Sequence, residues 1–238
     1  MISRNDLEKM KKYQDIAGLI TTLKTSADKK IREKVAYILG DIRADNCVDD
    51  LINCLDDDYW PIRKAAALSL GRIRNPEAVP ALIELLNDEY WHVRENAALA
   101  LGAIGDKRAV IPIIKALKDG SLNVKCELVE ALGNLGDTKA SKHLSEILGE
   151  DDFLLRACTV TSLGKIGDDV ALKSLVRSLQ DESYLVRVNA THALGTIGDE
   201  NTIAYLEEAL NSSKGESHEF EIALKKAIEH IKSRNKSE

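Results

Sequence analysis

Six glycines, Gly40, Gly71, Gly102, Gly133, Gly164 and Gly195, follow one another at intervals of 31 residues without a slip. A fixed period of this size marks a chain built from copies of one supersecondary unit. Each copy buries its apolar face only against its neighbours. Other positions hold the same phase. Leu39, Leu70, Leu101, Leu132, Leu163 and Leu194 precede the glycines, and Ile42, Ile73, Ile104, Leu135, Ile166 and Ile197 follow two places later. Arg32, Arg63, Arg94, Lys125, Arg156 and Arg187 stand eight places before them. Agreement at four positions across six copies excludes coincidence.

Within one period the pattern is helical twice over. The third copy runs from Pro76 to Asp106. Its first segment, AVPALIELL, places apolar residues at helical spacing, and its second, HVRENAALALGAI, is rich in the strongest helix formers. Gly105 suits the left-handed residue that closes a helix, and Asp106 suits the N-cap of the next one. The same Gly-Asp pair recurs at Gly136-Asp137, Gly167-Asp168 and Gly198-Asp199. Each copy is therefore expected to be a helix A, a turn, a helix B and a Gly-Asp corner. The expected boundaries are about 15–45, 46–75, 76–106, 107–137, 138–168 and 169–199. A degenerate cap spans 200–232, with the irregular stretch NSSKGESHEF inside it, and a polar tail spans 233–238. The fold class is all-α, an α-solenoid of about seven stacked helix pairs forming a single domain over residues 1–238.

Composition narrows the function. Net charge is −6, so the strongly basic surface that nucleic acid requires is absent at the level of the whole chain. Cys47, Cys54, Cys126 and Cys158 are scattered and form no C-x-x-C pair, which fits a reducing compartment better than a disulfide framework or a zinc site. The opening stretch MISRNDLEKMKKYQD lacks the apolar core of a signal peptide, and no apolar run approaches the ~18 residues of a membrane span. The expectation is a cytoplasmic protein with no membrane contact.

The stretches VRENAALALGAIGD and VRVNATHALGTIGD, with an acidic residue six places before the arginine, resemble HEAT-like repeats of the phycobilin-lyase type. The likeness is strong over about residues 15–200 and weaker beyond. It implies a right-handed superhelix in which the B helices line a concave groove used for binding. It does not imply one activity, because such repeats occur in scaffolds, phycobilin lyase subunits, deoxyhypusine hydroxylase and DNA glycosylases. Function has to be read from the site.

Counted from each glycine as zero, positions −9, −5, −2, −1 and +2 of helix B are persistently apolar; in the third copy they are Val93, Ala97, Ala100, Leu101 and Ile104. They define one buried face. The glycine itself is read as room for a neighbouring helix. Pairs six apart, Asp57 and Arg63, Asp88 and Arg94, Asp119 and Lys125, Glu150 and Arg156, Asp181 and Arg187, read as a structural ladder in which each base has its own acid. Trp60, Trp91, Phe153 and Tyr184 share position −11, with Tyr59 and Tyr90 beside the tryptophans. This aromatic column is read as packing at the A–B turns, with a part in binding left open.

The positions that vary, −10, −7, −6, −3 and +1, lie opposite the buried face and are where recognition is expected. Tyr37, Leu68 and Leu99 occupy −3 in three consecutive copies and form an apolar stripe. Lys34, Lys64 and Arg72 make the first copies basic, while Glu95, Glu127 and Glu130 make the middle ones acidic. His92, Asn96 and Asn134 complete the expected surface. This arrangement points to a non-catalytic scaffold that holds a protein or peptide of mixed charge and needs no metal or cofactor. A phycobilin lyase-like subunit or chaperone is the alternative, with Cys126 and Cys158 on the variable face but no basic neighbour to activate a thiol. A di-iron hydroxylase would need several His-Glu pairs, and the sequence has one, His218-Glu219. A glycosylase would need a basic groove with stacking rings beyond the first two copies.

Overall fold

The computed structural model describes residues 3–213 and 217–234, with the side chain of residue 4 excepted. Residues 214–216 of the NSSKGESHEF stretch and the polar tail from 235 onward lie outside the described residues. Fifteen α-helices and no strand are present among the described residues. A short helix α1, Arg4–Tyr13, comes before the repeats. It is followed by α2 (Ile16–Thr25) and α3 (Lys29–Asp41), α4 (Val48–Asn53) and α5 (Trp60–Ile73), α6 (Val79–Glu84) and α7 (Trp91–Ile104), and α8 (Val110–Ala116) and α9 (Leu122–Leu135). Then come α10 (Ser141–Ile147) and α11 (Phe153–Ile166), α12 (Asp169–Ser178) and α13 (Tyr184–Ile197), and α14 (Glu200–Ser212) and α15 (His218–Arg234). Even-numbered helices are A and odd-numbered ones from α3 onward are B. Helix α1 is an addition to the seven expected pairs. The chain divides into two compact units, Met1–Ala131 and Leu132–Glu238, with the division inside α9. Each is a stack of helix pairs of the α-solenoid type. Among the described residues no helix is long and apolar enough to cross a membrane.

Local rules set these elements. Asp106, Asp137, Asp168 and Asp199 each cap the helical segment that follows by accepting a backbone N–H, as the Gly-Asp corners require. The corner residues Gly105, Gly136 and Gly167 take left-handed φ of 81°, 61° and 70°. Gly198 departs from the expected pattern, at φ −64° and ψ 152°. In the first two copies the left-handed residue is an arginine, Arg43 at φ 50° and Arg74 at φ 64°. A side chain held there costs on the order of 1 kcal/mol relative to glycine. The A helices α4 and α6 are only six residues long and flanked by 3-10 turns, with Pro80 tolerated in the first turn of α6.

Four of the five positions of the apolar stripe are buried in the third copy, and Ile104 at +2 is half-buried. Val93, Ala97, Ala98, Ala100 and Leu101 are all essentially inaccessible. Position −4, occupied by Ala36, Ala67, Ala98, Val129, Val160 and Thr191, belongs to the same core and was not evident from the five-position pattern. The periodic glycine lets neighbouring B helices touch backbone to backbone. A Cβ built on Gly71 would lie 2.8 Å from Ala100 Cα, and one on Gly133 would lie 2.8 Å from Ser162 Cα. The partner is in each case at −2 of the next copy, and it is small. No real Cβ contact is that short, so a larger residue at either partner has to push the helices apart.

The charged ladder exists, but with a different pairing. Arg63 Nε and Nη2 form a fork onto Asp88 at 2.7 and 3.0 Å, and Arg156 does the same to Asp181 at 2.8 and 2.9 Å. Arg94 forks onto Asp119, and Arg32 reaches Asp57 at 2.9 Å. Each carboxylate comes from the next copy, 25 residues on, and not from the acid six places before the arginine. That nearer residue instead gives its backbone carbonyl: Asp57 O accepts from Arg63 Nη1 at 2.8 Å and Asp181 O from Arg187 Nη1 at 2.8 Å. The reason is that each aspartate is already bound to its own turn. Asp88 Oδ1 accepts the Tyr90 N–H at 2.8 Å and Asp181 Oδ1 the Ser183 N–H at 2.8 Å, which aims the other lone pairs at the preceding copy. Arginine thus joins the turn of its own copy to the turn of the next. Burial pushes the Asp119 and Asp181 carboxyls up, but the arginine and backbone N–H bonds outweigh it and hold both below the usual carboxylate range. Their contribution to stability is present above about pH 4 and is lost as pH falls through the lowered values.

Two stability measurements follow. Arg63→Lys keeps the charge but loses the fork, and is expected to lower the unfolding free energy by roughly 1–3 kcal/mol in urea. Adding Asp88→Asn should then cost far less than it does alone, and strict additivity would refute the rung. Gly71→Val should cost at least ~1–3 kcal/mol through overpacking against Ala100.

Candidate functional site on the helix-B face

Within Met1–Ala131 the B helices present a face on which the residues expected to bind fall into three groups. The first surrounds a shallow pocket of about 210 Å³ between α5 and α7. Leu68 and Leu99 line it together with Arg72. Leu99 is 40% exposed, unusual for a leucine beside a close-packed core. Gly71 and Ala100, the tight helix contact, form the floor, so the pocket is shaped by the packing constraint itself. Tyr37 is half-buried and does not line the pocket.

The second group is neutralised. Lys34 Nζ bonds Glu8 at 2.8 Å, and Lys11 Nζ bonds Asp41 at 2.5 Å, so α1 lies over part of the α3 face. Arg72 also pairs with Asp41. Lys64 rests with its ammonium 5.6 Å from the centre of the Trp60 ring. Trp60 in turn stacks on Tyr90 and His92 of the next copy, with centroids 5.5 and 5.0 Å apart. His92 therefore belongs to an aromatic stack that also includes Trp91 at 3.7 Å. The aromatic column packs between copies on one side, while Trp91, Phe153 and Tyr184 stay between 37 and 48% exposed on the other. Asn96 is spent locally, donating to His92 O at 2.8 Å.

The third group is acidic. Glu127 is half-buried on α9, and burial, followed by the charges of Glu130 and Glu95, pushes its carboxyl above the ordinary value. Asn134 lies in Leu132–Glu238, where its Oδ1 accepts from Lys165 Nζ at 2.9 Å. The corresponding depression there, about 620 Å³ beside Thr161, Lys165, His192 and Thr196, has a polar rim in place of the leucines. A larger hollow of about 720 Å³ lies beside the A–B turns, but Asp57 and Asp88 in its wall are committed to the rungs.

Two residues of the first pocket were not anticipated. Arg43 and Arg74 line it, both are exposed, and neither guanidinium has an ion-pair partner among the described residues. The signal was in the sequence, since both stand three places after the periodic glycine, where Gly105, Gly136, Gly167 and Gly198 stand in later copies.

The repeated helix pairs match a recognised sequence pattern. The description of HEAT repeats matches residues 16–95, 79–159 and 146–225. The chain belongs to the HEAT-repeat family. Among solved HEAT-type structures, it is similar to the complex of CpcE and CpcF of phycocyanin lyase from Nostoc sp. PCC7120. The identity is 25%, with 90% of this chain and 93% of that one covered and a TM-score of 0.59. Two engineered proteins share the fold at 23% identity. One covers 94% of this chain and 71% of its own with a TM-score of 0.59, the other 78% and 98% with a TM-score of 0.55. No curated protein matches the sequence.

The acidic group gives a pH prediction. Because the folded Glu127 carboxyl titrates above its unfolded value, its protonated form favours folding below the unfolded pKa, and that contribution disappears as pH rises through the folded value. Glu127→Gln is expected to raise the melting temperature at pH ~7 and to leave it unchanged near pH ~4. Equal effects at both pH values would place the strain elsewhere.

Proposed function

We propose that this HEAT-repeat chain is a non-catalytic binding scaffold that receives a protein or peptide on its helix-B face, centred on α5 and α7. One observation carries the reading. Leu68, half-buried, and Leu99, exposed, stand on adjacent helices at equivalent positions in a pocket bordered by arginines. An apolar hollow with a charged rim is the ordinary composition of a protein-recognition site. Core packing does not require leucine there, since the same position holds Glu130, Thr161 and His192 in later copies. Tyr37 extends the apolar stripe toward α1, Lys64 and His92 edge it through the aromatic stack, and Glu95, Glu127 and Glu130 set an opposing charge further along. The similarity to a component of a two-protein complex, CpcE with CpcF, supports a protein partner.

A lyase-like subunit is the second reading, favoured by that same similarity over nine-tenths of both chains. The two readings differ in what is held. In a cross-linking capture, wild type is compared with Leu68→Glu/Leu99→Glu after equal helicity is confirmed by circular dichroism. The expected result is a protein retained by wild type and lost by the variant, without covalent change to it. Retention undiminished in the variant would sink the scaffold reading, and a pigment attached to the captured protein would favour the second.

A further inference from the structure

In the first five copies the residue three places after the periodic glycine follows helix B in a left-handed conformation. Glycine fills it in the third to fifth copies, at φ 81°, 61° and 70°. Arginine fills it in the first two, at φ 50° and 64°. Arginine is not needed to close the helix, because glycine does so in later copies; the backbone bond is the same at Arg74, while the Arg43 N–H reaches Gly40 O at 3.2 Å. The Arg74 N–H reaches Leu70 O as the Gly105 N–H reaches Leu101 O. A side chain kept in a conformation that disfavours it, and unsupported by any acid among the described residues, points to a role outside the fold. Both residues line the Leu68–Leu99 pocket. Arg72, between them in the lining, is tied to Asp41, so Arg43 and Arg74 are the cations open to a ligand.

Resting on the reading of the helix-B face as a binding surface, we propose that Arg43 and Arg74 clamp an extended acidic peptide. An aliphatic side chain of the peptide seats between Leu68 and Leu99, and a carboxylate pairs with each arginine. Arginine forks suit carboxylates in pairs of parallel hydrogen bonds. The arginines occupy equivalent places on helices one copy apart, and packed helices lie about 8–10 Å apart. An extended chain rises ~3.3 Å per residue, so acids two or three residues apart bridge that interval with the aliphatic residue between or beside them. Glu95 lies one turn before Leu99 on α7 and Glu127 beyond it, so carboxylates are repelled from the other end of the pocket. The acidic part of the peptide must therefore lie over the C-terminal ends of α3 and α5.

The test selects a random-peptide display library on the full chain and then measures the selected peptides, fluorescently labelled, against variants. The expected peptides carry two carboxylates two or three positions apart next to leucine, isoleucine or methionine. Arg43→Gly/Arg74→Gly should weaken them by about tenfold or more. The same variant should melt at the same temperature as wild type or higher, because glycine is the unstrained residue there. A clamp predicts this opposition of binding and stability, and a structural cap does not. Leu68→Glu/Leu99→Glu should abolish binding. Selected peptides without paired acids, or binding the glycine variant unchanged, would overturn the clamp while leaving the pocket as a binding surface. Peptides insensitive to the leucine changes would overturn both. Failure to select any peptide, with a labelled single-stranded oligonucleotide binding through the same arginines, would overturn the clamp and assign the cations to phosphate.

Discussion

The contact between neighbouring B helices at the periodic glycine governs everything else in each compact unit. Where Gly71 faces Ala100 and Gly133 faces Ser162, there is no space for a Cβ. This fixes the separation of the copies at the lower end of what helices allow. Once that distance is set, other choices are forced. Position −2 must be small, the leucine at −1 must turn into the core, and the turns of adjacent copies come close enough for one arginine to touch both. Separation is fixed by the absence of an atom, and register is fixed by a fork of hydrogen bonds.

The division of labour around the helix follows. Residues facing inward are held by volume, and those at the turns by the ladder. The −3 and +1 positions and the closing residue are held by neither. Here the chain differs most from copy to copy: leucines in one place, a glutamate, a threonine and a histidine in others. The two left-handed arginines extend this freedom into the backbone. Small losses of stability are tolerated at places where the side chain meets solvent rather than core.

Much of this was legible in the sequence, and the parts that were not have identifiable causes. The helix pairs, the glycine's purpose and the aspartate caps followed from period and residue type. The rung partner did not. In a repeat of 31 residues, pairs separated by 6 and by 25 fall in the same two columns, so periodicity cannot tell them apart. Only the geometry of the turn, which binds Asp88 to the Tyr90 N–H, decides. Position −4 carries alanine, valine and threonine, small residue types that position −5 also carries, and only the packing shows that both face the core. Helix α1 escaped because its sequence is mostly polar, although Ser3 and Asp6 form a capping box and Leu7 is fully buried. Lys34 and Arg72 read as free positive charge only while Glu8 and Asp41 could not be placed beside them. Arg43 and Arg74 were overlooked because the left-handed corner was inferred from glycine, and its strained occupants carried no glycine to mark them.

The acids of the ladder run from Asp57 to Asp181, and the same column holds serine at both extremes, Ser26 and Ser212. Ser26 still gives its backbone carbonyl to Arg32, at 3.0 Å, so the turn is intact where the carboxylate is missing. A repeat that stacks on copies of itself has a built-in tendency toward open-ended filaments, since each exposed end resembles the surface its neighbour would cover. At Ser26 the serine removes the anion that an arginine from a copy stacked before it would need, whereas Ser212 stands 25 residues after Arg187 in the same molecule. End-on stacking against the Ser26 turn would thus lack the fork of hydrogen bonds that sets the register between copies within the chain.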